Sequence, residues 1–157
     1  MARMPDSDRR TVCINRRARF DYELLDRIEA GLVLTGAETK ALREGKGNLV
    51  DAYVLVRDDR AQVLNLEISR YSCDHQEFAT PPRRTRVLLL KAAEIKRLQA
   101  RVREKGLTLV PVSIYFKGPW AKLEVALARG KRKGDKRESI RRREDQRDME
   151  RLRRHRR

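Results

Sequence analysis

The sequence predicts a mainly β protein with accessory helices: an OB-type barrel of about six strands, followed by a basic C-terminal tail. Three observations carry this expectation. Strand-like runs recur through the first 130 of 157 residues, with only two clear helical patterns between them. Two of those runs, 52–57 and 61–68, flank Asp58-Asp59-Arg60, the signature of a hairpin. The last 29 residues contain no aromatic side chain, and beyond Ala128 only Ile140, Met149 and Leu152 are aliphatic. The same elements admit an open α+β sheet as the alternative, and no internal repeat is present.

Residues 11–34 hold short apolar stretches, and around 26–31 helix and strand patterns cannot be separated. A helix start follows at Thr35-Gly36-Ala37-Glu38, an N-cap hydroxyl with Glu three residues on, the capping-box pattern. Gly45 supplies the stop, giving a helix of about ten residues. After the hairpin, residues 69–84 read as a loop around Pro81-Pro82. Residues 86–90 read as a strand. Residues 92–105 read as an amphipathic helix with Ile95, Leu98 and Val102 on one face, ending at Gly106. Residues 107–116 are rich in β-formers, and Pro111 confines that strand to an edge or a bulge. Lys117-Gly118-Pro119 turns the chain into a last strand, 120–128, where Leu123, Val125 and Leu127 alternate with other residues.

Charge is the dominant compositional fact. The chain carries 39 Lys and Arg against 23 Asp and Glu, a formal net charge of +16. Residues 129–157 account for +9 of it, from 15 basic and 6 acidic side chains, and the preceding 128 residues for +7. A pI near 10.7 makes a polyanion the first partner to consider. The tail buries too little apolar surface to offset its chain entropy, so it is expected to be disordered alone. Glu138 with Arg142, and Glu150 with Arg154, stand at i,i+4 with the acid first, so a bound polyanion is expected to turn the tail helical. The longest aliphatic run, Val87 to Leu90, is far short of the ~20 residues that span a membrane as a helix. Met1 to Arg10 lacks an apolar signal region, and Asp6 and Asp8 fit a mitochondrial transit peptide poorly. Two cysteines, Cys13 and Cys73, make no disulfide framework, so a cytoplasmic protein is expected.

Most candidate chemistry fails on inspection. Gly31 and Gly36 have P-loop spacing, but Ala37-Glu38 stands where Lys-Ser/Thr is required. Cys73 and His75 offer two metal ligands in one loop where a structural zinc needs four. Histidine-dependent hydrolysis would rest on His75 alone, and no carboxylate pair stands out as an acid/base couple. No enzyme activity, metal or cofactor is expected. The positive features are Asn15-Arg16-Arg17-Ala18-Arg19-Phe20 and the basic residues of 40–46, cations close to aromatic or amide groups. With 29 Arg to 10 Lys, the composition favours groups that fork onto phosphate and stack on bases. RNA binding is the reading these features support.

The run Leu34-Thr35-Gly36-Ala37-Glu38-Thr39-Lys40-Ala41-Leu42-Arg43 resembles the signature of the SsrA-binding protein (small protein B) family. Asn15 to Ala18, Glu29-Ala30-Gly31, Gly45-Lys46, the 48–53 block, 107–111, Tyr115-Phe116-Lys117, 126–131 and 135–138 extend the resemblance in order over about residues 12–145. It departs at Gly134, where many relatives have His or Tyr, and at Glu67 and Arg70 within a block usually read His-Ile-Ser-Pro-Tyr. The resemblance implies a flexible N-terminus at 1–11, an OB-fold RNA-binding core at 12–130 and a basic tail at 131–157. It implies an adaptor that binds the tRNA-like domain of transfer-messenger RNA (tmRNA) and delivers it to stalled 70S ribosomes for trans-translation. The tail would act in the decoding centre and the vacant mRNA channel. Alanyl-tRNA synthetase and elongation factor Tu would be reached through tmRNA, with neither membrane nor DNA as a partner. By position, Asn15, Arg16, Arg17, Glu38, Lys40, Arg43, Lys46 and Asn48 become the core's RNA-facing candidates. Gly130, Lys131, Asp135, Lys136, Arg137 and Arg141 become the ribosome-facing ones. A ribosome- or tRNA-associated OB protein without a rescue role is the alternative.

Overall fold

The computed structural model describes residues 9–71, 80–104 and 106–155, with backbone alone at Lys133 and His155. The Cys73–His75 pair, most of the 1–11 segment and the middle of the 69–84 segment lie outside the described residues. Strand β1 (Arg9–Ile14) leads into helix α1 (Arg16–Asp21), strand β2 (Tyr22–Leu32) and helix α2 (Gly36–Arg43). Strands β3 (Gly47–Asn48), β4 (Tyr53–Arg57), β5 (Arg60–Leu64), β6 (Glu67–Ile68) and β7 (Arg86–Leu89) follow. Helix α3 (Ala92–Val102), strands β8 (Leu107–Lys117) and β9 (Trp120–Gly130), and helix α4 (Lys133–His155) complete the order.

Six strands close a ring. The sheet runs β8-β4-β5-β7-β2-β9 and returns from β9 to β8, while β1 pairs with the outer edge of β8 and β3 pairs only with β6. The closed ring settles the choice between barrel and open sheet. Closure rests on β8, which pairs with β9 along one edge and with β1 and β4 along the other. Pro111 therefore sits in an interior strand, and the ladder accommodates it by a register shift between Pro111 and Ser113. That bulge changes which side chains face inward. Leu109, Ile114 and Phe116 join the barrel core, whereas Val110 and Val112 join Ala18, Ala126 and Ala128 under α1 on the outer face.

Local chemistry explains the remaining elements. Arg57 pairs with Arg60, so the β4–β5 turn is Asp58-Asp59, both at positive φ (50° and 57°). Two left-handed residues give a turn whose twist matches the strands, and Asp tolerates that region. The ambiguous segment near 26–31 is strand, because β2 pairs with β9 from Tyr22 to Gly31 and with β7 at Gly31 and Leu32. Non-local pairing decides where local pattern does not. Helix α1 has no clear periodic signal. It is nucleated by Asn15, whose Oδ1 accepts the Ala18 amide at 3.2 Å.

Candidate nucleic-acid interface

Helix α2 is held at both ends. The Thr35 amide donates to Glu38 Oε2 at 3.0 Å and the Glu38 amide donates to Thr35 Oγ1 at 3.3 Å, completing the capping box. At the other end the Gly45 amide reaches Leu42 O at 2.9 Å and the Lys46 amide reaches Ala41 O at 3.0 Å. Gly45 has φ +79°, the left-handed step this pair of bonds requires. Ala41 and Leu42 point into the core at 0% exposure, which turns Lys40 and Arg43 outward.

The outward groups form a connected strip. Arg43 lies over the Phe116 ring at 4.5 Å, and Arg10 donates to the Arg43 carbonyl at 3.3 Å. Lys40 Nζ stands 5.6 Å from the Tyr71 ring, and Lys46 Nζ donates to Arg70 O at 3.4 Å while pairing with Glu44 at 2.9 Å. Exposed Asn48 accepts the Val50 amide at 2.9 Å. Asn15 joins this end to α1, donating through Nδ2 to Pro111 O at 3.0 Å and Leu49 O at 3.4 Å. Arg16 is exposed, and Arg17 pairs with Asp21 (3.3 Å) and Asp51 (3.6 Å). The strip thus gathers Arg16, Arg17, Lys40, Arg43, Lys46 and Asn48 on the surface.

Two sequence candidates occupy a different environment. Asn15 is 8% exposed and Glu38 is 6% exposed. Glu38 Oε1 accepts from Arg86 Nη2 at 2.8 Å, and Oε2 accepts from Arg84 Nη2 at 2.6 Å. Arg86, at 0% exposure, also donates to the carbonyls of Leu66, Pro82 and Arg84. Burial works to raise the Glu38 carboxyl. Hydrogen bonds from Arg84, the Thr35 amide and Arg86 overcome it and hold the group below its ordinary 4.5. Both side chains spend polar atoms on the protein itself, bracing the strip from beneath.

The tail leaves from the far end of β9. The Lys131 amide donates to Asp21 O at 3.0 Å, Lys131 Nζ donates to Arg19 O at 3.0 Å, and Lys136 pairs with Asp21 at 3.1 Å. Gly130, Asp135, Arg137 and Arg141 are exposed, as is every described side chain from Ile140 to Arg154. A cleft of about 390 Å³ between α1 and α4 is lined by Arg16, Arg19, Arg143 and Arg147 with Glu150. Arg84, Arg86, Arg10 and Trp120 escaped the sequence reading. Buried Arg86 and half-buried Arg84 follow a proline pair and alternate around Thr85, a pattern with no local signal for burial.

Burial pushes the Cys13 thiol up to about 11, so it is no thiolate at neutral pH. Among the described residues no group of three or more His, Cys, Asp or Glu could hold a metal, and no helix is long and apolar enough to cross a membrane.

An OB-type barrel with a surface cationic strip and a separate arginine-rich helix defines the class of small nucleic-acid-binding proteins. The family model described as SmpB protein matches residues 12–155, spanning both strip and tail, and the chain belongs to this family. An SsrA-binding protein of Gloeothece citriformis is 51% identical over 137 residues, 87% of this chain and 88% of that protein. One from Trichodesmium erythraeum is 46% identical over 151 residues, 96% and 97% of the two chains. A solved structure described as "tmRNA-SmpB: a journey to the center of the bacterial ribosome" is 43% identical with a TM-score of 0.66, covering 82% of this chain and 94% of that one.

Proposed function

We propose that this chain binds tmRNA and carries it to stalled ribosomes for trans-translation, as an RNA-binding adaptor of the cytoplasm and not as an enzyme. The strip from α1 through α2 to β3 is the surface for the tRNA-like domain. Helix α4 is the ribosome-facing element, disordered in the free chain and helical in the decoding centre and mRNA channel.

The observation that carries this reading is the match of one family over residues 12–155, which joins two cationic surfaces of unlike build. The strip is braced by a folded core and its cations are set by caps and ring contacts. The tail helix is tied to α1 at its root, where Lys136 pairs with Asp21, and its described side chains from Ile140 to Arg154 are all exposed. A preformed surface selects a folded RNA, and an arm without a core partner awaits one.

Removing residues 131–157 tests the division. Binding of tmRNA is expected to remain within a few-fold of the full chain, while peptide tagging on stalled ribosomes is abolished. Equal loss of both would overturn the two-surface design. Equal affinity for tmRNA and elongator tRNA would instead favour a general tRNA-associated protein.

A further inference from the structure

We infer that the tip of the β8–β9 hairpin is a second contact for tmRNA, at which Trp120 stacks on an unpaired base while Lys117 and Lys122 hold its phosphates. The inference rests on the proposed choice of tmRNA as ligand and adds a site outside the α1–α2–β3 strip.

Trp120 is the chain's single tryptophan and is 70% exposed, more than any other large hydrophobic side chain described. It is also firmly placed. Lys117 pairs directly with Trp120 across a two-residue turn, Gly118-Pro119, and the ladder continues from there to the Leu107–Arg129 pair. Gly118 has φ +59°, a conformation that glycine adopts without cost, and Pro119 fixes the next φ. An indole on such a mount loses little further freedom when it binds.

The surroundings are cationic. Directly paired residues share a sheet face, so Trp120, Lys117, Lys122, Tyr115 and Arg9 all lie on one face, opposite the barrel core. Helix α1 covers that face only as far as Ala126 and Ala128. Beyond it, Glu29 and Glu124 oppose each other across β2 and β9 and are braced by cations. Lys117 and Lys122 each stand 3.9 Å from Glu29, Arg9 stands 3.4 Å from Glu124 and Arg27 stands 3.3 Å from it. Ser113 Oγ donates to Glu124 at 2.9 Å, and the Tyr115 hydroxyl donates to Glu29. Arg9 also covers the Tyr115 ring at 3.8 Å. Four cations against two carboxylates leave the face net positive, and the two lysines meet Glu29 only at the long limit of an ion pair, 3.9 Å.

A protein hot spot would set the tryptophan in an apolar interface core depleted of charged residues. Here its neighbours in the turn and ladder are Lys117, Gly118, Pro119, Ala121 and Lys122. An isolated aromatic among cations is the pattern that takes a base and its backbone. The strip reaches the same end of the hairpin from the other face of the sheet, where Phe116, one residue before Lys117, carries Arg43 on its ring.

The full-length protein and tmRNA test this directly. Trp120 is its own probe, and its fluorescence is expected to be quenched on titration with tmRNA. Trp120→Ala should weaken binding about tenfold, with the salt slope unchanged. Trp120→Phe should recover most of the loss. Lys117→Ala should instead flatten the salt slope by about one phosphate contact. Because the side chain is exposed, Trp120→Ala should fold as the wild type does, and circular dichroism checks it. Unchanged fluorescence together with wild-type affinity of Trp120→Ala would overturn the inference. Normal tmRNA binding with lost tagging would reassign the tip to another partner. A wild-type chain that fails to prefer tmRNA over elongator tRNA would sink the functional reading itself, and with it this tip as a tmRNA contact.

Discussion

Glu38 shows how one residue can carry a helix-cap motif and also anchor an ion-pair cluster beneath the surface. Its place in the capping box is legible in the sequence because both partners lie within four positions. Its ion pairs are not, because Arg84 and Arg86 stand 46 and 48 residues away. Removing one partner of a buried pair strands the other charge, at a cost of about 3–5 kcal/mol. Glu38→Gln is therefore expected to lower unfolding free energy by roughly 3 kcal/mol, read from denaturant titration at pH 7. The sign with pH follows from the lowered carboxyl. Its stabilisation is complete above the ordinary value of 4.5 and is lost as pH falls toward the folded-state value. Wild type should consequently lose stability below about pH 4.5 more steeply than Glu38→Gln. Parallel acid profiles would show that the carboxylate contributes nothing through its charge. The same geometry predicts that tmRNA affinity of the variant falls through displacement of Lys40 and Arg43, and not by loss of a direct contact.

Elements with strong local rules were readable in advance: α2 from its cap and Gly45, the β4–β5 hairpin from its aspartates, α3 from its spacing. Helix α1 was not, since six residues give less than two turns and its inward anchor is a single alanine, Ala18. Helix α4 poses the opposite problem. It has the charge pairing of a helix, with Arg142 2.5 Å from Glu138, but no apolar stripe. Pairs of this kind contribute only ~0.2–0.5 kcal/mol each, too little to overcome the cost of nucleation. A peptide of residues 131–157 is therefore expected to show a coil-like far-UV dichroism spectrum in buffer. Adding an RNA polyanion should raise its helical signal, and added salt should reverse that gain. A peptide fully helical in buffer would mean that intrinsic propensity suffices and that binding orders nothing.

At the scale of the whole molecule, the six-strand barrel was expected, but the strand pairs that close it were not legible. Its closure depends on one β4–β8 pair, Val54 with Leu109, and on two β2–β7 pairs, all between residues distant in sequence. Closure fixes the distance between the two cationic surfaces. Strand β9 runs from Trp120 to Gly130 at the tail's root, roughly 30 Å of rigid ladder, so the α2 end of the strip lies away from the tail while its α1 end, at Arg16, borders the tail helix. A molecule so built should titrate salt in two independent ways. Each phosphate contact removed flattens the plot of log affinity against log salt by roughly 0.7–0.9. Replacing Lys40, Arg43 and Lys46 by Ala should then flatten the slope for tmRNA by about 2 to 3, leaving the slope for vacant ribosomes nearly unchanged. Deleting residues 131–157 should do the reverse. Filter binding across a salt series, with both partners and all three proteins, measures both slopes. If either change flattened both slopes equally, the positive charge would act as one diffuse field. If each affects its own partner, the +7 of residues 1–128 and the +9 of residues 129–157 serve separate partners even though the two surfaces meet at α1.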